Sequence, residues 1–173
     1  MNPVLEQIKN RKSTKKFTGQ PVEKEKVEAV VEAGTWAPTG MNRQAPIILA
    51  VTNPEVRDAI SKENAKILGK EGIDPFYGAP VILVVLADKN VPTHVYDGSV
   101  VMENMLLAAD ALDLGACWIH RAKEEFDSDF GKDLLKQLGI EGEYEGIGHV
   151  ALGYPGGEFH SKPRKDNWVY WVE

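Results

Sequence analysis

Pro80-Val-Ile-Leu-Val-Val-Leu-Ala87 is an unbroken apolar run. Its length suits a strand; a membrane-spanning helix needs about 20 such residues. A strand with one wet face alternates apolar with polar residues, and this one does not. It therefore requires cover on both faces, as the central strand of a layered sheet has.

On either side of this run, helical and extended patterns alternate. Upstream, Pro3–Asn10 reads as a short helix with Pro3 at an early position and Leu5 and Ile8 on one face. Residues 11–21 form a connecting stretch. A helix over 23–33 carries Val27, Val30 and Val31 as its apolar stripe, with Gly34 as the stop. Residues 36–45 are a loop, 46–52 a strand, 55–68 a helix and 69–78 a loop. Downstream, 97–112 is a strongly apolar helix, Gly115–Ile119 a short strand, 128–138 a helix and 145–152 a core strand. Residues 153–166 are irregular, and 168–172 read as one more strand. This is the pattern of an α/β or α+β layered protein, read as one domain over residues 1–173. Because the 97–112 helix is apolar over most of its circumference, it is either central to the core or partly covered by another subunit.

Bulk properties narrow the class. With 173 residues, 43% apolar and 27% charged, the chain is long enough to bury a core without staples. Its single cysteine, Cys117, has no partner for a disulfide, which fits a reducing, cytoplasmic setting. Residues 1–9 lack the apolar core of a signal peptide. A net charge of −6 argues against a nucleic-acid binder, and no stretch is long and apolar enough for a membrane partner.

Within this acidic chain, positive charge gathers at two places. Lys9, Arg11, Lys12, Lys15 and Lys16 lie close together with no acid between Gln7 and Gln20, and Lys162, Arg164 and Lys165 sit near the other end. One reading makes the first group a complement to the carboxyl end of the first helix, with the other cations solvated. The other has the two groups converge on a phosphate, where a cation at about 4 Å gains roughly 4 kcal/mol before desolvation. Arg supplies a bidentate grip and Ser13 a hydroxyl donor. Gly146-Ile-Gly148-His-Val-Ala151 matches the loose dinucleotide pattern, but no strand–helix–strand unit follows it, so it reads as core strand.

Arg11-Lys-Ser13-Thr-Lys15-Lys-Phe17 followed by Pro21-Val22 resembles the opening signature of the nitroreductase family. Ala37-Pro38-Thr39-Gly40-Met41-Asn42-Arg43-Gln44 resembles its second motif. Gly78-Ala79-Pro80-Val81, Leu114-Gly115-Ala116-Cys117-Trp118-Ile119, and Leu152-Gly153-Tyr154-Pro155 with Lys162-Pro163-Arg164-Lys165 follow in the same order. The resemblance implies an α+β fold of three layers, a mixed sheet between helices, and a homodimer sharing FMN sites. It implies that Arg11, Lys12, Ser13 and Lys15 hold FMN, with Arg11 and Ser13 near the phosphate and ribityl chain and Lys15 towards the ring. Pro38, Thr39, Gly40 and Asn42 line the flavin from the partner subunit, Gln44 either contacts the cofactor or caps the loop, and Lys162 and Arg164 complete the phosphate site. The stretch Ile119-His120-Arg121 offers backbone N–H groups to flavin N5. The family's usual Asn and Lys for the pyrimidine edge are absent; Asn64 and Lys66 either substitute or are solvated. Phe76 and Tyr77 serve as a small lid or as core.

The chemistry so implied resides in the cofactor, so neither a catalytic side chain nor a metal is called for. NADH or NADPH reduces FMN, which then reduces a small-molecule acceptor such as a nitroaromatic or quinone in a ping-pong cycle. Alternatives are dehalogenation or desaturation on the same fold, a non-catalytic flavin-binding protein, or an anion-binding domain that holds no flavin.

Overall fold

In the computed structural model, which describes residues 2–173, the chain forms α1 (Pro3–Asn10), α2 (Lys24–Thr35), β1 (Pro46–Val51), α3 (Pro54–Ile67), β2 (Val81–Asp88), α4 (His94–Ala111), β3 (Gly115–Ile119), α5 (Ala122–Asp127), α6 (Asp129–Gln137) and β4 (Tyr144–Gly153). Met1, the first residue of the stretch read as lacking a leader's apolar core, lies outside the described residues.

The apolar run is central, as its pattern requires. β2 is buried at every position but its last, and it sits inside a sheet of order β1-β2-β4-β3. Its side chains alternate between two cores. Val81, Leu83 and Val85 pack with Val30 of α2 and with Met102 and Met105 of α4. Ile82, Val84 and Leu86 pack on the other face with Ile60 of α3, Phe126 of α5 and Leu135 of α6. Helices thus cover both faces, giving the three-layer α+β arrangement. The sheet is not mixed as expected: its strands pair antiparallel throughout, and the parallel component is one isolated bridge, Ser13 to Ala116. The reason is that α3 and the α5–α6 pair each return the chain to the end of the sheet it left.

Several boundaries differ from the sequence pattern for identifiable reasons. Gly34, expected to stop α2, lies inside it. A Cβ there would come within 2.8 Å of Met105 Cγ, so the glycine is needed for the close approach of α2 to α4. α4 begins at His94 rather than 97, which brings exposed Val95 and Tyr96 into its first turn. The sequence pattern missed α5, whose six residues carry little apolar periodicity; Ser128 closes it and then caps α6 through the Gly131 N–H. Residues 168–172 form no strand and are exposed beyond a 3-10 turn at Asp166–Trp168. Phe76 is fully buried and belongs to the core, while Tyr77 is partly exposed. No helix among the described residues is long and apolar enough to cross a membrane.

The loop leading into β2 is organised around Asp74. Its carboxylate meets the Arg57 guanidinium and accepts from the Ser61 hydroxyl at 2.8 Å and from the N–H groups of Phe76 at 3.0 Å and Gly78 at 2.8 Å. Burial alone would raise its pKa, but Arg57 and these donors together hold it below the ordinary carboxylate value. A depressed native pKa contributes stability above the unfolded value of about 4, which is lost as pH falls through the native value. Asp74→Asn is therefore expected to cost about 1–2 kcal/mol at pH 7, allowing for solvent screening at this half-buried site. The difference from wild type should shrink below about pH 4 in urea titrations; an equal cost at pH 7 and pH 3 contradicts the assignment.

Candidate functional site

The first basic cluster is fixed by backbone pairing. Thr14 N–H donates to the Ala116 carbonyl at 2.9 Å, Thr18 N–H to Tyr154 at 3.0 Å, and Gly156 N–H returns to Lys16 at 2.8 Å. The segment therefore runs extended between β3 and the end of β4, with bridges at Ser13–Ala116 and Phe17–Pro155. Thr14 is buried against Gly115. Alternation along an extended chain then turns Arg11, Ser13 and Lys15 to the opposite side.

On that side the two ends of the chain meet. Arg11, Lys12, Ser13 and Lys15 line a cavity of about 320 Å³ together with Phe159, His160, Ser161, Lys162 and Arg164. No carboxylate lines it, so its donor set suits a polyanionic group such as a phosphate. A neighbouring cavity of about 590 Å³ includes Lys12 but also Asp110, Asp113 and Glu158, a mixed lining unsuited to an anion. Lys165 stands apart, over the Trp168 ring at 5.3 Å. Cys117 is buried close by: burial pushes its thiol pKa up, against the pull of Lys15, the Ser13 hydroxyl and Arg11.

The second motif lies elsewhere on the subunit. Thr39 and Gln44 line a separate, largely apolar cavity of about 340 Å³ with Val31, Ala37, Ile47, Ile48 and Val101. Pro38 and Asn42 are exposed. The loop's shape is unusual, since Met41, Asn42 and Gln44 all have positive φ (54°, 54° and 51°), a region side chains disfavour. Asp97, buried near the start of α4, holds it: Gly40 N–H donates to Oδ1 at 3.0 Å and the Thr93 hydroxyl to Oδ2 at 2.8 Å. Gln44 N–H donates to Thr39 Oγ1 at 3.1 Å, and Gln44 Nε2 donates to Asn42 Oδ1 at 3.3 Å. The sequence reading missed Asp97 as an anchor because an acid in a helix's first turn has an ordinary dipole explanation.

The third predicted element, Ile119-His120-Arg121, leaves the end of β3. Ile119 is buried, the His120 side chain is exposed, and Arg121 adopts a left-handed conformation at φ 78°. Neither Ile119 nor His120 lines the two cavities that hold the other predicted residues. Asn64 is not solvated: it is fully buried and donates to the His120 carbonyl at 2.9 Å. Lys66 is exposed beside Glu63.

A methyl group at Gly40 would overlap Thr93 Oγ1 and come within 2.9 Å of Thr93 Cγ2. Gly40→Ala is therefore expected to break the Asp97 anchor and cost about 1–3 kcal/mol in chemical denaturation. An unchanged midpoint would show that the loop yields freely.

Comparison with known proteins gives the family. The model of the nitroreductase family matches residues 8–154. A Methanothermobacter thermautotrophicus protein provisionally named NADH dehydrogenase/NAD(P)H nitroreductase is 30% identical over 124 residues, 66% of this chain and 59% of that protein. An Archaeoglobus fulgidus protein of the same provisional name is 28% identical over 90% of this chain and 87% of its own length. The crystal structure of a nitroreductase with bound FMN from Bacteroides fragilis superposes with a TM-score of 0.91 at 27% identity, covering 100% of both chains. A match running from the end of α1 to just past β4, and taking in the motifs at 11–22, 37–44, 78–81 and 114–119, shows that the chain belongs to the nitroreductase family.

Proposed function

We propose that the protein is an FMN-dependent NAD(P)H oxidoreductase whose cofactor phosphate lies in the cavity between the two chain ends. The observation that carries this reading is the convergence of Arg11, Lys12, Ser13 and Lys15 with Lys162 and Arg164 around a space free of carboxylates. Like charges brought together in this way repel unless an anion sits among them. Arg11 and Arg164 would hold the phosphate, Ser13 the phosphate or ribityl hydroxyls, and Lys15 the polar edge of the ring. Pro38, Thr39, Gly40, Asn42 and Gln44 would line the flavin of a partner subunit, and the N–H groups at Ile119-His120-Arg121 would face N5. Bound flavin supplies two-electron transfer between NADH or NADPH and a nitroaromatic, quinone or similar small acceptor. Donors near the pyrimidine end of the ring, Lys15 among them, favour the charge that develops there on reduction.

A homodimer is part of this reading. Its support is apolar surface left uncovered on one chain: Leu5 and Ile8 on α1, Tyr96 and Val100 on α4, and Tyr170 and Trp171, the last two 79% and 84% exposed. The Thr39–Gln44 cavity and the basic cavity share no lining residue, an arrangement that a flavin held between two subunits would reconcile. A cytoplasmic location accords with the lone, unpaired Cys117.

Each charge-assisted contact to phosphate contributes about 1.5–3 kcal/mol. Arg11→Ala and Arg164→Ala are thus each expected to weaken FMN binding roughly ten- to hundredfold, while riboflavin, which lacks the phosphate, binds each variant as it binds wild type. Full retention of FMN by the double variant contradicts the phosphate assignment. Sedimentation should give the mass of a dimer, and a monomer with bound flavin would remove the shared-site arrangement. Turnover of nitrofurazone, menadione and halogenated phenols with NADH and with NADPH identifies the acceptor class. Failure of every acceptor to reoxidise the reduced protein leaves a flavin-binding protein without turnover.

A further inference from the structure

Behind the turn that ends β3 lies a buried glutamate–histidine pair that the phosphate cavity does not use. Glu125 of α5 and His149 of β4 are both fully buried, and His149 Nε2 meets Glu125 Oε2. Desolvating such a pair is costly, and apolar residues of the same volume often serve stability as well or better. The other ring nitrogen indicates what the pair does. His149 Nδ1 lies 3.2 Å from the Ile119 carbonyl oxygen. A carbonyl only accepts, so Nδ1 carries a proton and Nε2 faces the carboxyl group.

The next carbonyl along the chain is held in the same manner, since Asn64 Nδ2 of α3 donates to His120 at 2.9 Å. Two consecutive carbonyls are therefore drawn inward by fully buried side chains from two different elements. The Phe76 ring stands perpendicular to the imidazole at 5.2 Å and packs against it. The helix that carries Glu125 is itself fixed: Glu125 N–H donates to the Arg121 carbonyl at 3.0 Å, and a Cβ at Gly146 would overlap the Ala122 carbonyl. Arg121 is held left-handed at φ 78°, ψ 12°, a conformation that persists only where its surroundings enforce it. Among the described residues no backbone or side-chain acceptor meets the N–H of His120 or of Arg121.

We propose that Glu125, His149 and Asn64 are positioning residues for this turn. Glu125 orients the imidazole, while His149 and Asn64 hold the two carbonyls inward. The N–H groups of His120 and Arg121 are thereby left free to meet the redox edge of the ring. The purpose of the turn rests on the cofactor reading above; the grip on its carbonyls does not.

The test replaces the Glu125–His149 pair with apolar residues of similar volume, Glu125→Met with His149→Phe, and separately makes Asn64→Ala, which leaves the pair intact should the double variant fail to fold. Amide hydrogen exchange at position 125, whose N–H donates to the Arg121 carbonyl of the turn, is expected to quicken about tenfold in flavin-free protein, beyond any change at β2, as one lost hydrogen bond permits. In flavin-loaded protein, the FMN dissociation constant should rise about tenfold. The midpoint potential should move by about 30 mV, the equivalent of tenfold for a two-electron couple. Folded variants with unaltered exchange and potential would overturn the proposal and leave the pair a packing element. Quickened exchange with unaltered FMN affinity and potential would overturn the link to the ring. Wild-type protein that takes up no FMN would instead strike the cofactor reading, and the turn's purpose with it, whatever exchange shows.

Discussion

Like charge held together by backbone pairing is the constraint on which the site depends. Arg11, Lys12 and Lys15 have no reason of their own to approach Lys162 and Arg164. They do so because the segment between Ser13 and Thr18 is bonded to Ala116 of β3 and to Tyr154 and Gly156 just past β4. Burial of Thr14 against Gly115 sets which side chains turn outward. The repulsion so created is a standing preference for an anion, and pairing to β3 and to the end of β4 fixes the Arg11–Lys15 side of it. Stability from elsewhere in the fold thus maintains an arrangement that is unfavourable when empty of counter-charge.

That stability comes from a sheet buried on both faces. β2 and β4 fill the middle, so most of their side chains commit to packing, with His149 a fully buried polar exception. The groups proposed to bind sit at strand ends, in loops and along edges, where backbone donors remain unspent. The same division explains the polar side chains that are fully buried. Asn64, Glu125 and His149 lie just beneath the end of β3, and two of them hold backbone carbonyls there; Asp97 does comparable work under the Thr39–Gln44 loop by accepting from Gly40. Asn64, His149 and Asp97 thus act directly on backbone, and Glu125 through His149, at the loops proposed to meet the flavin.

The sequence was informative where a feature is local and periodic. The non-alternating run at 80–87 implied a doubly covered strand, and the basic clusters, spaced at opposite ends, implied a phosphate site if they met. It was poorly informative where meaning depends on a distant partner. Asn64 looked like a solvated helix residue because nothing in its neighbourhood reveals the His120 carbonyl. Gly34 looked like a helix stop because the side chain it accommodates, Met105, is 71 positions away. The short α5 escaped notice because six residues hold too little periodicity to be seen.

By itself, then, the order of residues determined a layered protein of helices and strands, the buried central strand and the two clusters of cations proposed to form the site. Family membership was legible too, because its motifs are local strings. Only the tertiary structure decided that the sheet is antiparallel throughout, that both ends of the chain share one cavity, that the second motif lies away from it, and that a buried Glu125–His149 pair stands behind the β3 turn. The physical reason is that hydrophobic periodicity is set by near neighbours, whereas strand direction, charge convergence and the partners of buried polar groups arise between residues far apart in the chain and are settled only when the layers pack.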